Sequence, residues 1–262
     1  MELGLAGKTA LVMASSKGLG KAIATKFAEE GANVMITSRS EETLQQTSQE
    51  IKKKTGRDVS YQVCNLTNPY DIQSLVQQTV DTYGTVDILI NNAGGPPAGK
   101  FDDFRDEEWQ KAFELNLLSY VRAVREVLPL MRKQGGGRIL NIASSSIKQP
   151  IDGLILSNTF RTGIVGLAKS LSSELAPDNI LINTLGPGRI ATDRVDELDQ
   201  KAAEKRGKSI EEVKESFEAL IPIGRYGTPE EFANTAVFLC SEANTYVTGQ
   251  ALLVDGGLVK AL

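Results

Sequence analysis

Histidine is absent from all 262 residues. Its absence excludes Ser-His-Asp and Cys-His nucleophile pairs, imidazole metal ligands and histidine proton relays, and no metal site is expected. Cysteine is scarce: Cys64 and Cys240 lie far apart in apolar stretches. They read as buried thiols in a reducing compartment, not as a disulfide framework. There is no basic excess either, since 29 Lys and Arg stand against 33 Asp and Glu for a net charge of −4. That balance argues against a nucleic-acid partner. No apolar run reaches membrane-spanning length, and the first residues lack the basic-then-apolar order of a secretory leader. The expectation is a cytoplasmic protein that binds neither nucleic acid nor membrane. What is present is a 41% hydrophobic content, enough for one large core.

The apolar residues alternate between two periods along the chain. Short buried-strand runs are expected at Thr9–Ala14, Asn33–Thr37, Val59–Cys64, Val86–Asn91, Arg138–Ala143, Ile180–Leu185 and Ala251–Val254. Between them, helices are expected at Leu19–Glu30, from Ser40 as N-cap to about Lys54, and at Pro69–Tyr83, Glu107–Gln134, Ser157–Leu175 and Pro229–Ser241. Strands apolar on both faces, separated by helices, imply a doubly wound parallel α/β sheet of Rossmann type, covered on both faces. With no repeat or linker, residues 1–262 read as one domain. Ala191–Leu220 is charged and helical and reads as an insertion over one end of the sheet.

In such a sheet ligands bind beyond the carboxyl ends of the strands, where strand order reverses. The segment Ala14-Ser15-Ser16-Lys17-Gly18-Leu19-Gly20 opens the first helix at that edge. Its glycines let backbone approach a phosphate, and the helix N-terminus offers free N–H groups; an ordinary βα turn has the same look. The second strand ends at Thr37-Ser38-Arg39, where an NAD site places an acid on the ribose hydroxyls. Here Ser38 is neutral and Arg39 basic, with Lys17 nearby, which favours NADP(H) over NAD(H).

Across nearly its whole length the chain resembles the short-chain dehydrogenase/reductases. The resemblance is carried by Gly18-Leu19-Gly20, Asn91-Asn92-Ala93-Gly94, Asn116, Asn141-Ile142-Ala143-Ser144, Gly186-Pro187-Gly188, Val247-Thr248-Gly249-Gln250 and Asp255-Gly256-Gly257. It implies a nicotinamide cofactor held by Ser15 to Gly20, Ser38, Arg39, Asn65, Leu66, Asn92, Ala93, Gly94, Pro187, Gly188, Ile190 and Thr192. Two positions depart from the family. The Gly loop begins Met13-Ala14 where the family has Thr-Gly, which crowds the turn if φ is positive. Asn65 stands where the family has Asp.

The resemblance also implies four catalytic positions. Asn116 matches the water-holding Asn and Ser144 the substrate-binding Ser. The positions of the family's Tyr and Lys are held by Ser157 and Arg161, a register that Gly166-Leu167-Ala168-Lys169-Ser170-Leu171 supports from downstream. No tyrosine of the chain (61, 70, 83, 120, 226, 246) has Lys four residues later. An aliphatic hydroxyl is a far weaker acid than a phenol, and a guanidinium does not release its proton. Ser157 and Arg161 therefore keep electrostatic and cofactor-holding capacity, with Arg161 also expected at the ribose, while the proton must come from elsewhere. Water near Asn116 and Ser157 is one source; Lys148 and Asp152 are further candidates.

The loop 95–99 and the insertion 191–220 are expected to border the substrate, the latter as a lid, with Arg189 facing either the pocket or a surface acid. The resemblance implies a carbonyl or alcohol substrate of unspecified kind and a homodimer or homotetramer packed through the long helices. Similar family members are often 3-oxoacyl carrier-protein reductases, a reaction the missing Tyr speaks against. Two readings stand: an atypical NADP(H)-dependent oxidoreductase, and an NADP(H)-binding protein without turnover that acts as a sensor or assembly partner.

Overall fold

The computed structural model describes residues 2–261. Strands β1 (Thr9–Val12), β2 (Asn33–Ser38), β3 (Ser60–Val63), β4 (Ile88–Asn91), β5 (Gly137–Ile142), β6 (Ile180–Pro187) and β7 (Ala251–Val254) form one sheet in the order β3-β2-β1-β4-β5-β6-β7. Every pairing is parallel. Chain order reverses between β1 and β4, so the loops that leave these two strands part on opposite faces and open a crevice.

The strands are buried on both faces, and alternate residues feed separate cores. Ala10, Val12, Leu140 and Ile142 pack with Phe27 of α1 (Gly18–Glu29) and Phe232 of α9 (Pro229–Cys240). Leu11, Met13, Leu89 and Ile139 pack with Ile72 of α3 (Pro69–Tyr83), Tyr120 of α5 (Ser119–Lys133) and Ile164 of α6 (Ile155–Leu175).

Helix starts follow local chemistry. In α2 (Glu41–Thr55) the Ser40 hydroxyl accepts from Thr43 N, acids fill the first turn and lysines the last. In α3, Asn68 caps and Pro69 takes the first turn. Two departures from the sequence expectation matter. The long helix is three segments: α4 (Asp106–Phe113), a π turn (Glu114–Leu118) and α5. A π turn inserts one extra residue, which apolar periodicity does not register. The insertion is two helices, α7 (Asp193–Arg206) and α8 (Ile210–Glu218), the second opened by a reciprocal Ser209–Glu212 cap. Strand and helix limits elsewhere shift by a few residues: β1 ends at Val12, not Ala14, and α6 begins at Ile155, two residues before Ser157.

Candidate active site

The loop after β1 is built on close approach. Ala14 has φ +46°, as its place in the turn suggested, so an alanine carries a conformation that favours glycine. Its carbonyl accepts from the Asn92 side chain at 3.0 Å. A Cβ on Gly20 would lie 2.5 Å from Ala14 O and 2.8 Å from Ser15 Cα, so only glycine lets α1 pass beneath the loop. Ser15 is buried and structural: its hydroxyl donates to Val12 O and accepts from Thr37 N. Ser16 O accepts from Thr47 of α2. Lys17, at the N-cap of α1, makes no side-chain cap, and the first turn of α1 holds no acid. The helix N-terminus is thus left without a side-chain cap among the described residues, unlike α2, α3, α8 and α9.

At the end of β2, Ser38 bonds within its own turn to Ser40, and Arg39 is exposed without an ion-pair partner among the described residues. Lys17 is not free in the same way: it pairs with Asp193 at 3.5 Å. Beyond β3, the Asn65 side chain accepts from Thr67, which fixes the turn, while Leu66 is buried.

The remaining site residues gather at the ends of β4 and β5. Asn116 sits in the π turn, fully buried, and donates to Gly94 O at 2.7 Å. Its Oδ1 is buried without a protein partner among the described residues. Ser144 follows β5; its hydroxyl accepts from Ser146 N at 3.1 Å and keeps its own hydrogen to give. Ser157 and Arg161 lie one turn apart on α6, and the half-buried Ser157 hydroxyl has no protein partner among the described residues. Arg161 points inward. Its Nη1 donates to Ile142 O at 2.7 Å and to the Tyr120 hydroxyl at 2.9 Å, and its Nη2 donates to Ala93 O at 3.1 Å. Tyr120 in turn donates to Ile142 O at 2.9 Å. Burial pushes the Tyr120 phenol above its ordinary range, and the adjacent guanidinium offsets part of that rise. Tyr120 was not singled out in the sequence, because no Lys follows it four residues on. Lys148 and Asp152 are exposed on the loop before α6.

On the β6 side, Gly188 packs its bare Cα against Asp255, where a Cβ would come within 2.6 Å of backbone. Pro187 ends β6, Ile190 is buried, and Thr192 is the N-cap of α7, opposite Gly18. Arg189 does not face the crevice. It pairs with the buried Asp199 and stacks 3.3 Å from the Phe217 ring centroid, while Tyr226 donates to Asp199 at 2.9 Å. Arg194 reaches across instead, donating to Pro96 O at 3.2 Å. The loop 95–99 is held to the segment before α6 through Gly99 N to Gly153 O at 2.6 Å.

The crevice between β1 and β4 is therefore fitted to a dinucleotide. It has a glycine that a Cβ would fill, an uncapped helix N-terminus and a free basic side chain after β2. No cluster of His, Cys, Asp or Glu suited to a metal exists among the described residues.

The family model described as enoyl-(acyl carrier protein) reductase matches residues 13–259. The chain belongs to the short-chain dehydrogenase/reductase family. It is 36% identical to the 3-oxoacyl-[acyl-carrier-protein] reductase FabG of Aquifex aeolicus, covering 98% of this chain and 100% of that one. It is 38% identical to dehydrogenase/reductase SDR family member 4 of Sus scrofa, covering 98% and 89%. Among solved structures, L-sorbose reductase of Gluconobacter frateurii, complexed with NADPH and L-sorbose, superposes with a TM-score of 0.95 at 35% identity over 100% of both chains. Among the described residues, no helix is long and apolar enough to cross a membrane.

Proposed function

We propose that this chain is an NADP(H)-dependent oxidoreductase acting on a small carbonyl or alcohol substrate, with a proton source other than the family tyrosine. The observation that carries the reading is the convergence of Asn116, Ser144 and Arg161 on the ends of β4 and β5, beside the uncapped N-terminus of α1. In this reading Ser15 and Ser16 shape the loop, and the backbone of Lys17 to Gly20 takes the phosphates. Ser38 and Arg39 take the 2′-phosphate, which sets NADP(H) over NAD(H). Asn65 and Leu66 border the adenine; Asn92 to Gly94, Pro187, Gly188, Ile190 and Thr192 border the nicotinamide half.

The nicotinamide supplies or accepts the hydride. Ser144 donates to the substrate oxygen. Arg161 adds a fixed positive charge at that end of the sheet, acting through its field because three of its N–H groups are already given to protein oxygens. The unpartnered Asn116 Oδ1 and the Ser157 hydroxyl hold the water that moves the proton. A general acid contributes about 3–5 kcal/mol to such a step, and proximity about 7–11 kcal/mol. Turnover thus survives loss of the phenol at reduced rate.

The α7–α8 insertion forms the lid of the substrate site. A homodimer or homotetramer is supported by a chain of aromatic rings, Phe101 in the turn before α4, Trp109 and Phe113 on α4 and Phe160 on α6, with Phe101 68% exposed. A cytoplasmic, reducing location is supported by the free thiols of Cys64 and Cys240.

The inward turn of Arg161 favours a second reading, an NADP(H)-binding protein without turnover that serves as a sensor or assembly partner. Nucleotide fluorescence titration followed by 340 nm assays on a ketone, aldehyde and alcohol panel separates the two. The oxidoreductase reading expects turnover that falls at least tenfold in Ser144→Ala and Arg161→Ala. Tight NADPH binding with no turnover across the panel selects the second, and turnover unchanged in both variants sinks the proposed roles.

A further inference from the structure

Arg161 is 5% exposed, yet no carboxylate among the described residues pairs with it; its hydrogen-bond partners are two main-chain carbonyls and one phenol. A buried cation without a counter-ion holds its place only if its hydrogen-bond geometry is complete. The carbonyls of Ala93, two residues past β4, and of Ile142, the last residue of β5, are main-chain groups present whatever the side chains are. Tyr120 is the one side chain in the set. It lies one helical turn beyond Asn116, fully buried, and closes a triangle in which the Arg161 Nη1 and the Tyr120 hydroxyl both donate to Ile142 O. This orientation leaves the phenol oxygen's acceptor side to the guanidinium. The three oxygens draw the fork toward the β4–β5 edge. The Arg161 Nε, which has no protein partner among the described residues, is not among the buried unpartnered atoms.

We infer that Tyr120 is a positioning residue that aims the Arg161 guanidinium at the β4–β5 edge, so that Tyr120 and Arg161 work as one unit that supplies the fixed charge of the family's Lys. The inference rests on the proposed function, in which Arg161 places a fixed positive charge at the cofactor end of the sheet and acts through its field. Tyr120 does not touch the cofactor and does not give up its proton; it fixes where a permanent charge stands. The substitution at 161 is then matched by a partner on a different helix, 41 residues away in sequence.

The test is a double-mutant cycle read by NADPH fluorescence titration, with Tyr120→Phe, Arg161→Met and the pair. Tyr120→Phe keeps the ring, and Ile142 O keeps its bond from Arg161, so the fold survives; thermal melts of all variants check this. Loss of one hydrogen bond to the cation is expected to weaken NADPH binding about fivefold in Tyr120→Phe. In the Arg161→Met background the same change is expected to have no effect, a cancellation that general core damage does not produce. An equal Tyr120→Phe effect in both backgrounds overturns the inference, as does no effect in either. If Arg161→Met itself leaves NADPH affinity unchanged, the role given to Arg161 falls. If Arg161→Met weakens binding while Tyr120→Phe does not, only the role of Tyr120 falls.

Discussion

The side-chain amide of Asn92, just past β4, donates to the carbonyl of Ala14, just past β1, at 3.0 Å. The bond fastens the Gly loop across the place where the sheet order reverses, and Gly20 lies directly beneath it. A Cβ at position 20 would stand 2.9 Å from Asn92 Nδ2 as well as 2.5 Å from Ala14 O. Gly20→Ala must therefore displace the clamp. It is expected to lower stability by about 1–3 kcal/mol, the cost of overpacking, and to abolish measurable NADPH binding. Urea unfolding and fluorescence titration read both, and a variant with unchanged affinity refutes the tight-loop assignment.

Ala14 bears the strain of that loop at φ +46°. An alanine there costs about 1 kcal/mol, but glycine gives back much of the gain by loosening the unfolded chain. Ala14→Gly is expected to change stability by less than about 1 kcal/mol. A β-branched side chain has no such tolerance, so Ala14→Val is expected to cost about 2 kcal/mol or more. Equal melting temperatures for the two variants contradict this account.

Arg39 is the one basic side chain at the end of β2 with no protein partner among the described residues, whereas Lys17 is engaged with Asp193. In the proposed function Arg39, more than Lys17, is therefore expected to decide between NADPH and NADH. A charge-assisted hydrogen bond to phosphate is worth about 1.5–3 kcal/mol. Arg39→Ala is expected to weaken NADPH roughly 10- to 100-fold and leave NADH nearly unchanged, while Lys17→Ala moves NADPH less than about threefold. Parallel titrations of both nucleotides at fixed salt measure the ratio. Equal losses for NADPH and NADH exclude a 2′-phosphate contact.

The parallel sheet was legible because its strands, Ala10 to Val12 or Ile88 to Ile90, are apolar on both faces, and burial on both faces requires helices on both sides. The strain at Ala14 was legible because one residue type was wrong for one turn. The π turn was not, because Asn116 enters the helix interior through one extra residue that leaves the apolar spacing nearly intact. Nor was the partnership of Tyr120 with Arg161. Sequence spacing relates residues on one helix, and these two meet from different helices over the end of β5. Lys17 read from sequence as a second cation beside Arg39, and Arg189 as facing either the pocket or a surface acid; Lys17 pairs with Asp193 and Arg189 with Asp199, both acids of α7.

Cys64 and Cys240 are buried, and burial pushes both thiols up to about 12, from an ordinary value of 9.0. The thiolate is the reactive form, so at pH 8 iodoacetamide is expected to label neither in the folded protein and both in urea. Folding favours the protonated thiols, so their contribution is whole below about pH 9 and is lost as pH rises toward 12. Labelling of the native protein at the rate of the denatured one refutes this.

Asp199, 2% exposed, is held by Arg189 and Tyr226, and Arg189 also stacks on Phe217 of α8. One buried carboxylate on α7 thus joins α7 and α8 to the segment that leads into α9. Arg189→Met removes the only cation on that carboxylate among the described residues and leaves its charge buried, a loss of about 3–5 kcal/mol. Asp199→Asn together with Arg189→Met removes both charges and is expected to recover more than half of it. Hydrogen exchange is expected to rise first in 193–218 in the single variant, with β1 and β4 still protected. Burial also pushes the Tyr226 phenol up to about 12, with Asp199 adding to the rise and Arg189 opposing it. Because folding favours the protonated phenol, the latch is intact below pH 10 and weakens as pH climbs toward 12. Exchange in 193–218 should therefore gain an alkaline component beyond its intrinsic pH dependence, and Tyr226→Phe should remove it. An identical alkaline component in Tyr226→Phe assigns the effect to another group.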